Sequence, residues 1–172
     1  ARAALVLHPH PLHGGTMNNR VVYTVYQSFV RRGFSTLRFN FRGVGRSQGS
    51  FDRGEGELAD AAAALDWLQT YNPDAVSCWV AGFSFGAWIG MQLLMRRPEI
   101  EGFISIAPPA NLYDFSFLAP CPSSGEPATI FAYSSLSCSS LILVNSRDRP
   151  RNTFLSESVL RKATTRWPVR TW

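Results

Sequence analysis

The sequence predicts an α/β domain of three layers, α/β/α, with a mostly parallel sheet in the middle. Two observations carry that expectation: short, almost wholly apolar runs alternate with amphipathic stretches between Ala3 and Ala107, and the connecting loops are rich in Gly, Pro and polar residues. Parallel strands need crossover connections, usually helices that cover both sheet faces, so the alternation implies right-handed βαβ units.

Ala3–His8 (AALVLH) reads as a central strand, followed by a Pro/His/Gly-rich loop to Asn19. Between Arg20 and Arg32 the apolar residues Val22, Val25, Tyr26, Phe29 and Val30 form a helical stripe, preceded by the cap-type residues Asn18 and Asn19 and closed by Gly33. Phe34–Phe41 reads as the next strand, and the glycine-rich loop Arg42–Gly56 follows it. Leu58, Ala61, Ala62, Leu65 and Leu68 mark a second helix, which Asn72-Pro73-Asp74 ends. Val76–Phe83 is a third strand, Phe85–Arg97 a helix stopped by Pro98, and Gly102–Ala107 a fourth strand. Beyond Gly125 the pattern is weaker, with strands expected at Ala128–Tyr133 and Leu141–Asn145 and a helix at Ser156–Thr164.

A length of 172 residues with 45% apolar and 17% charged residues fits one globular domain. No apolar run is long enough to span a membrane and the N-terminus lacks a signal-peptide pattern, so a soluble, cytoplasmic protein without a membrane partner is expected. The cysteines, Cys78, Cys121 and Cys138, have neither disulfide-framework nor zinc-type spacing. The net charge of +5 is uneven: residues 1–125 carry 10 Arg and 9 acids, residues 126–172 carry 7 basic residues and 3 acids, and all 13 glycines lie at or before Gly125. Position 125 therefore separates an expected core, 1–125, from a divergent tail, 126–172. Arg147, Arg149 and Arg151 cluster there without aromatic platforms, so nucleic acid is not an expected partner. A strand that opens at Ala3 suggests that the chain begins inside a fold.

Gly82-Phe83-Ser84-Phe85-Gly86 is a G-x-S-x-G placed where an apolar strand ends and a helix begins. Such a turn holds the serine backbone under strain and presents its hydroxyl at the carboxyl edge of the sheet, while glycines on either side keep the crossing backbones apart. Ser84 is thus the candidate nucleophile. The Phe85 N–H, at the positive end of the helix dipole, is the first candidate donor to an oxyanion. A second donor is expected from the loop after the first strand, His8-Pro9-His10-Pro11-Leu12-His13-Gly14-Gly15. Pro9 and Pro11 have no N–H, which leaves His10 or Leu12. Those histidines have no carboxylate or thiolate at metal-site spacing, so no metal and no cofactor is expected. Arg42-Gly43-Val44-Gly45-Arg46-Ser47-Gln48-Gly49 lacks the features of a phosphate cradle and reads as a tight loop at the active edge.

The segments HPHPLHGGTMNN, LRFNFRGVGRSQGSFD, GELADAAAALDWLQ, CWVAGFSFGAWIGMQLLMRRPEIEGFISIAPP and YDFSFLAPCPSSG resemble a bacterial α/β-hydrolase group related to dienelactone hydrolases, over about residues 3–125. The resemblance implies an α/β-hydrolase fold, incomplete at both ends. It also implies a serine hydrolase with Ser84 as nucleophile and an oxyanion hole from Phe85 and the His10 region. Family members usually place two strands before the one that starts here. They also carry an acid on a G-D-x-D-like turn and then a histidine on a glycine-bearing loop. Leu141–Asp148 partly resembles the first, making Asp148 the candidate acid; the alternative is that Asp148 is simply solvated between Arg147 and Arg149, and Asp114 is a weaker substitute.

No histidine follows His13, so the catalytic base is either missing or replaced by His8 or His10 from the loop beside the Ser84 strand. The tail's loss of glycine and of the family pattern suggests truncation, an altered frame or mis-splicing. The expected activity is hydrolysis of small acyl esters, impaired by the missing histidine. The alternatives are an inactive binding module, which exposed sheet edges would make prone to homo-oligomerise, and a peptidase or amidase. Phe83, Phe85, Trp88 and Tyr113 suggest an apolar acyl site, or simply core packing.

Overall fold

The computed structural model describes residues 1–115 and the strand backbones Thr129–Tyr133 and Ile142–Val144. In chain order the elements are β1 (Arg2–Leu7), α1 (Arg20–Val30), β2 (Phe34–Arg38), α2 (Glu55–Thr70), β3 (Ser77–Phe83), α3 (Phe85–Leu94), β4 (Ile100–Ile106), β5 (Thr129–Tyr133) and β6 (Ile142–Val144). The sheet runs β2-β1-β3-β4-β5-β6, parallel throughout except for β6, which lies antiparallel to β5. Both late strands join this same sheet, so the composition boundary at Gly125 is not a sheet boundary. The expected helix Ser156–Thr164 and the rest of the tail lie outside the described residues.

The alternation of side chains along β1 explains its unbroken apolar sequence. Ala3, Leu5 and Leu7 face a core shared with Ala61, Leu65 and Leu68 of α2 and with Phe85, Ile89 and Leu93 of α3. Ala4 and Val6 face the opposite core with Val22 and Phe29 of α1. A strand covered by helices on both sides must be apolar at every position, as β1 is from Ala3 to Leu7. Phe41, Phe85 and Phe103 are fully buried on the α2/α3 side, and each large side chain of this kind stabilises the fold by about 1.5–3 kcal/mol.

Helix ends follow local chemistry. Asn19 caps α1 through its Oδ1, which accepts from the N–H groups of Val21 (2.9 Å) and Val22 (3.5 Å), and Gly33 closes the exit with a left-handed φ of 75°. The first apolar position of the α2 stripe is Leu58, yet the helix begins at Glu55. Its start is fixed from inside: the fully buried Glu57 carboxylate reaches back to accept from the Gly54 N–H at 2.7 Å and the Asp52 N–H at 2.9 Å. β2 stops at Arg38, three residues short of the apolar run, because Phe41 turns into the α2/α3 core and its N–H is drawn to His8. No helix among the described residues is long and apolar enough to cross a membrane.

Candidate active site

Ser84 sits between the end of β3 and the start of α3 with φ 55° and ψ −117°, a conformation that L-residues rarely adopt and that costs about 1–3 kcal/mol. The surrounding backbone imposes it. The Ser84 N–H donates to the Ile106 carbonyl at the end of β4 (2.9 Å), while its own carbonyl accepts from the N–H groups of Ala87 (2.9 Å) and Trp88 (3.3 Å). The two flanking glycines are required by close approach. A Cβ on Gly82 would stand 2.2 Å from the Gly86 carbonyl oxygen, and one on Gly86 would stand 2.6 Å from the Leu7 and His8 carbonyl oxygens. The turn is therefore clamped against the end of β1, and Ser84 is half-buried with no side-chain capping bond.

Leu7 pairs with Gly82 in register, so the histidine loop after β1 lies beside this turn. Within the loop, Pro11–His13 forms a single 3₁₀ turn. His10 Nδ1 accepts from the Leu12 N–H at 3.1 Å, and the His10 carbonyl accepts from the N–H groups of His13 (3.1 Å) and Gly15 (3.0 Å). Leu12 is thereby removed as an oxyanion donor. Among the described residues the backbone N–H groups of Phe85 and His10 carry no hydrogen bond, which leaves this pair as the candidate hole.

His8 does not fit the role of substitute base. It is fully buried, its Nδ1–H donates to the Pro9 carbonyl (2.6 Å), and its Nε2 accepts from the Phe41 N–H (3.0 Å), so both ring nitrogens are engaged. Burial lowers its pKa from 6.5 to about 4. The unfolded chain therefore takes up this proton near pH 6.5 and the folded chain only near pH 4, so stability from neutral His8 is complete above 6.5 and is lost as pH falls toward 4. We expect denaturant melts to show a loss of up to about 3 kcal/mol across that window, and His8→Gln to flatten the dependence. Parallel pH curves for the two proteins would contradict this reading.

His10 does not fit a base either, because its accepting nitrogen already holds Leu12. Its half-buried ring stacks on His13 (centroids 4.4 Å) and meets Phe51 (4.8 Å) and Phe85 (5.1 Å). Trp88 and Tyr113 stack at 4.4 Å on the same side and touch Phe85, each 5.8 Å from it, while Trp88 Nε1 donates to the Asp114 carbonyl (3.0 Å). Burial raises the pKa of Tyr113, so it stays a phenol. Of the two readings for Phe83, core packing holds: it packs in the α1-side core with Ile104 and Ile106. Phe51 takes its place in the cluster, and its only sequence signal is an aromatic residue inside a glycine-rich loop.

The Arg42 loop is held by protein. The Arg42 guanidinium grips Asp60 of α2 at 2.8 and 3.1 Å, and its backbone N–H also donates to Asp60 (3.0 Å). The loop is a structural clasp. No group of three or more potential metal ligands is gathered among the described residues. Asp148, the candidate acid, lies outside the described residues.

Residues 2–141 match the X-Pro dipeptidyl-peptidase (S15) family. RP471 of Rickettsia prowazekii (strain Madrid E), an uncharacterised protein, is 64% identical over 128 residues, which make up 73% of this chain and 54% of that protein. Among solved structures, ATU1826 from Agrobacterium tumefaciens, described as a candidate α/β hydrolase, is 72% identical with a TM-score of 0.69, covering 71% of this chain and 56% of that one. XC6422 from Xanthomonas campestris, a member of the α/β serine hydrolases without a lid, is 42% identical with a TM-score of 0.65, covering 69% and 53%. The chain thus spans about half the length of the curated relative it matches. The strained serine turn, the sheet that carries it and a family match over 2–141 lead to one assignment: this chain belongs to the X-Pro dipeptidyl-peptidase (S15) family and has the α/β-hydrolase fold.

Proposed function

We propose that the chain carries the nucleophile and oxyanion hole of a serine hydrolase acting on small acyl esters. The observation that carries the reading is Ser84 at φ 55° and ψ −117° on the strand-to-helix turn, beside N–H groups of Phe85 and His10 that are unengaged among the described residues. Ser84 Oγ attacks the acyl carbonyl and loses its proton to solvent, the two N–H groups hold the oxyanion, the alkoxy group leaves as the alcohol with a proton from solvent, and water then cleaves the acyl–Ser84 ester to release the acid and restore the hydroxyl. Asp148 is the proposed acid.

The family description also raises a peptidase. An amine leaving group must be protonated as it departs, and a histidinium normally supplies that proton. His8 and His10 both hold backbone N–H groups with their acceptor nitrogens, so neither is arranged to take the Ser84 proton and pass it on. An aryl or alkyl ester with a good leaving group tolerates this lack far better than an amide. The sequence resemblance to dienelactone hydrolases points the same way. The engagement of both His8 and His10 favours one further reading, a module that binds acyl compounds without turnover.

The test compares initial rates on short-chain 4-nitrophenyl esters and on the matching 4-nitroanilides. We expect ester turnover that an irreversible serine reagent extinguishes, and no anilide turnover. Without a base, the hole and the bound geometry give about 10³–10⁴-fold over water, far below a full triad. Ester rates indistinguishable from buffer, on a folded chain, would overturn the esterase reading in favour of the binding module.

A further inference from the structure

We propose that the His10 side chain is a fixed, neutral Nε2–H donor to an oxygen of the substrate's acyl group; this rests on the serine-hydrolase reading above. Leu12 N–H donates to His10 Nδ1, and only an unprotonated ring nitrogen can accept. In a neutral imidazole the other nitrogen then carries the hydrogen, so the proton sits on Nε2. A flipped ring would set a carbon against the Leu12 N–H and forfeit the bond.

The ring is also held in place. Pro9 and Pro11 flank His10, its carbonyl is tied to His13 and Gly15, and its faces and edge meet His13, Phe51 and Phe85. The charged groups acting on it are few. Burial and the neighbouring His13 disfavour the imidazolium, and the buried Glu57 acts weakly in the other direction. Protonation would in addition break the bond to Leu12.

Among the described residues Nε2 has no partner. The ring touches the side chain of Phe85, the residue next to Ser84, at the carboxyl edge of β1 and β3. A base at this place would need a lone pair on its outward nitrogen, and here that nitrogen bears hydrogen. The side chain is thus suited to donate to a neutral or partly negative oxygen of a bound acyl group, beside the backbone N–H of the same residue.

Two substitutions separate donor from base. His10→Asn offers Oδ1 to the Leu12 N–H but places nothing where Nε2 was; His10→Gln places an N–H near that position. The readouts are the rate at which a fluorophosphonate labels Ser84 in the purified full chain, and the histidine tautomer in a long-range ¹H–¹⁵N spectrum of the wild type at neutral pH. In the labelling reaction the Ser84 Oγ–P bond forms, fluoride leaves with the P–F electrons, and the hydroxyl proton goes to solvent; His10 only donates a hydrogen bond.

The expected result is an Nε2–H tautomer, a loss of about 10²-fold in labelling rate for His10→Asn, and a rate for His10→Gln within about tenfold of wild type with an unchanged pH profile. An Nδ1–H tautomer would overturn the proposal without any variant having to fold. Equal collapse of both folded variants would show a base, and wild-type rates in both would show that the side chain meets no substrate. A folded wild type that takes up no label refutes the serine-hydrolase reading itself, and the donor role with it.

Discussion

Ser84→Ala is expected to abolish both ester turnover and covalent labelling, and Ser84→Gly to abolish them equally while melting at a higher temperature than Ser84→Ala. Activity goes because Oγ is the only group that the strand-to-helix turn presents. Stability separates the two variants because the backbone at position 84, at φ 55° and ψ −117°, is held by its bonds to Ile106, Ala87 and Trp88 whatever side chain it bears. A Cβ is strained there and glycine is not, so Gly is expected to be more stable than Ala by about 1 kcal/mol, after allowing for the greater freedom of glycine in the unfolded chain. Thermal melts of the two variants check it. A glycine variant less stable than the alanine variant would mean that the turn is relaxed and the strain argument wrong.

Gly86→Ala is expected to do the converse damage, removing reactivity by breaking the frame and leaving the nucleophile in the sequence. The added Cβ would lie 2.6 Å from two backbone oxygens at the end of β1, Leu7 and His8. No rotamer change relieves a clash with the backbone of a central strand, so α3 must move away from the sheet and open the core around Phe85 and Ile89. The expected loss is about 3 kcal/mol or more, read as a large fall in melting temperature, with labelling of Ser84 lost even where the variant remains folded. An unchanged melting temperature together with wild-type labelling would contradict the clamped geometry.

Much of this architecture is legible in the residues because it follows from burial. β1 from Ala3 to Leu7 and the middle of β3 are apolar because helices cover both sides of the sheet, and the serine turn advertises itself through two glycines that close packing demands. The parts that were not legible depend on where one group happens to meet another. The start of α2 escapes a search for Ser, Thr, Asp or Asn caps because Gly54 enters with φ 103° and Glu57 supplies the cap from within the helix. The antiparallel direction of β6 against β5 is recorded by no local sequence pattern. His8 and His10 are alike in sequence, each followed by proline, and only the structure separates them: one is buried with both nitrogens engaged, the other half-buried with one nitrogen that has no partner among the described residues. Phe83 and Phe85 flank the same serine yet fall on opposite sides of the sheet, so an apolar residue next to a nucleophile is no guide to the acyl site.

On the proposed reading, the turn around Ser84 makes an ordinary hydroxyl reactive. The most direct measurement is fluorophosphonate labelling of the purified, folded chain, followed by intact mass and peptide mapping, with Ser84→Ala alongside. The account predicts one adduct, located at Ser84 and absent from the variant. No adduct on the folded chain, or an adduct that persists in Ser84→Ala, would contradict it.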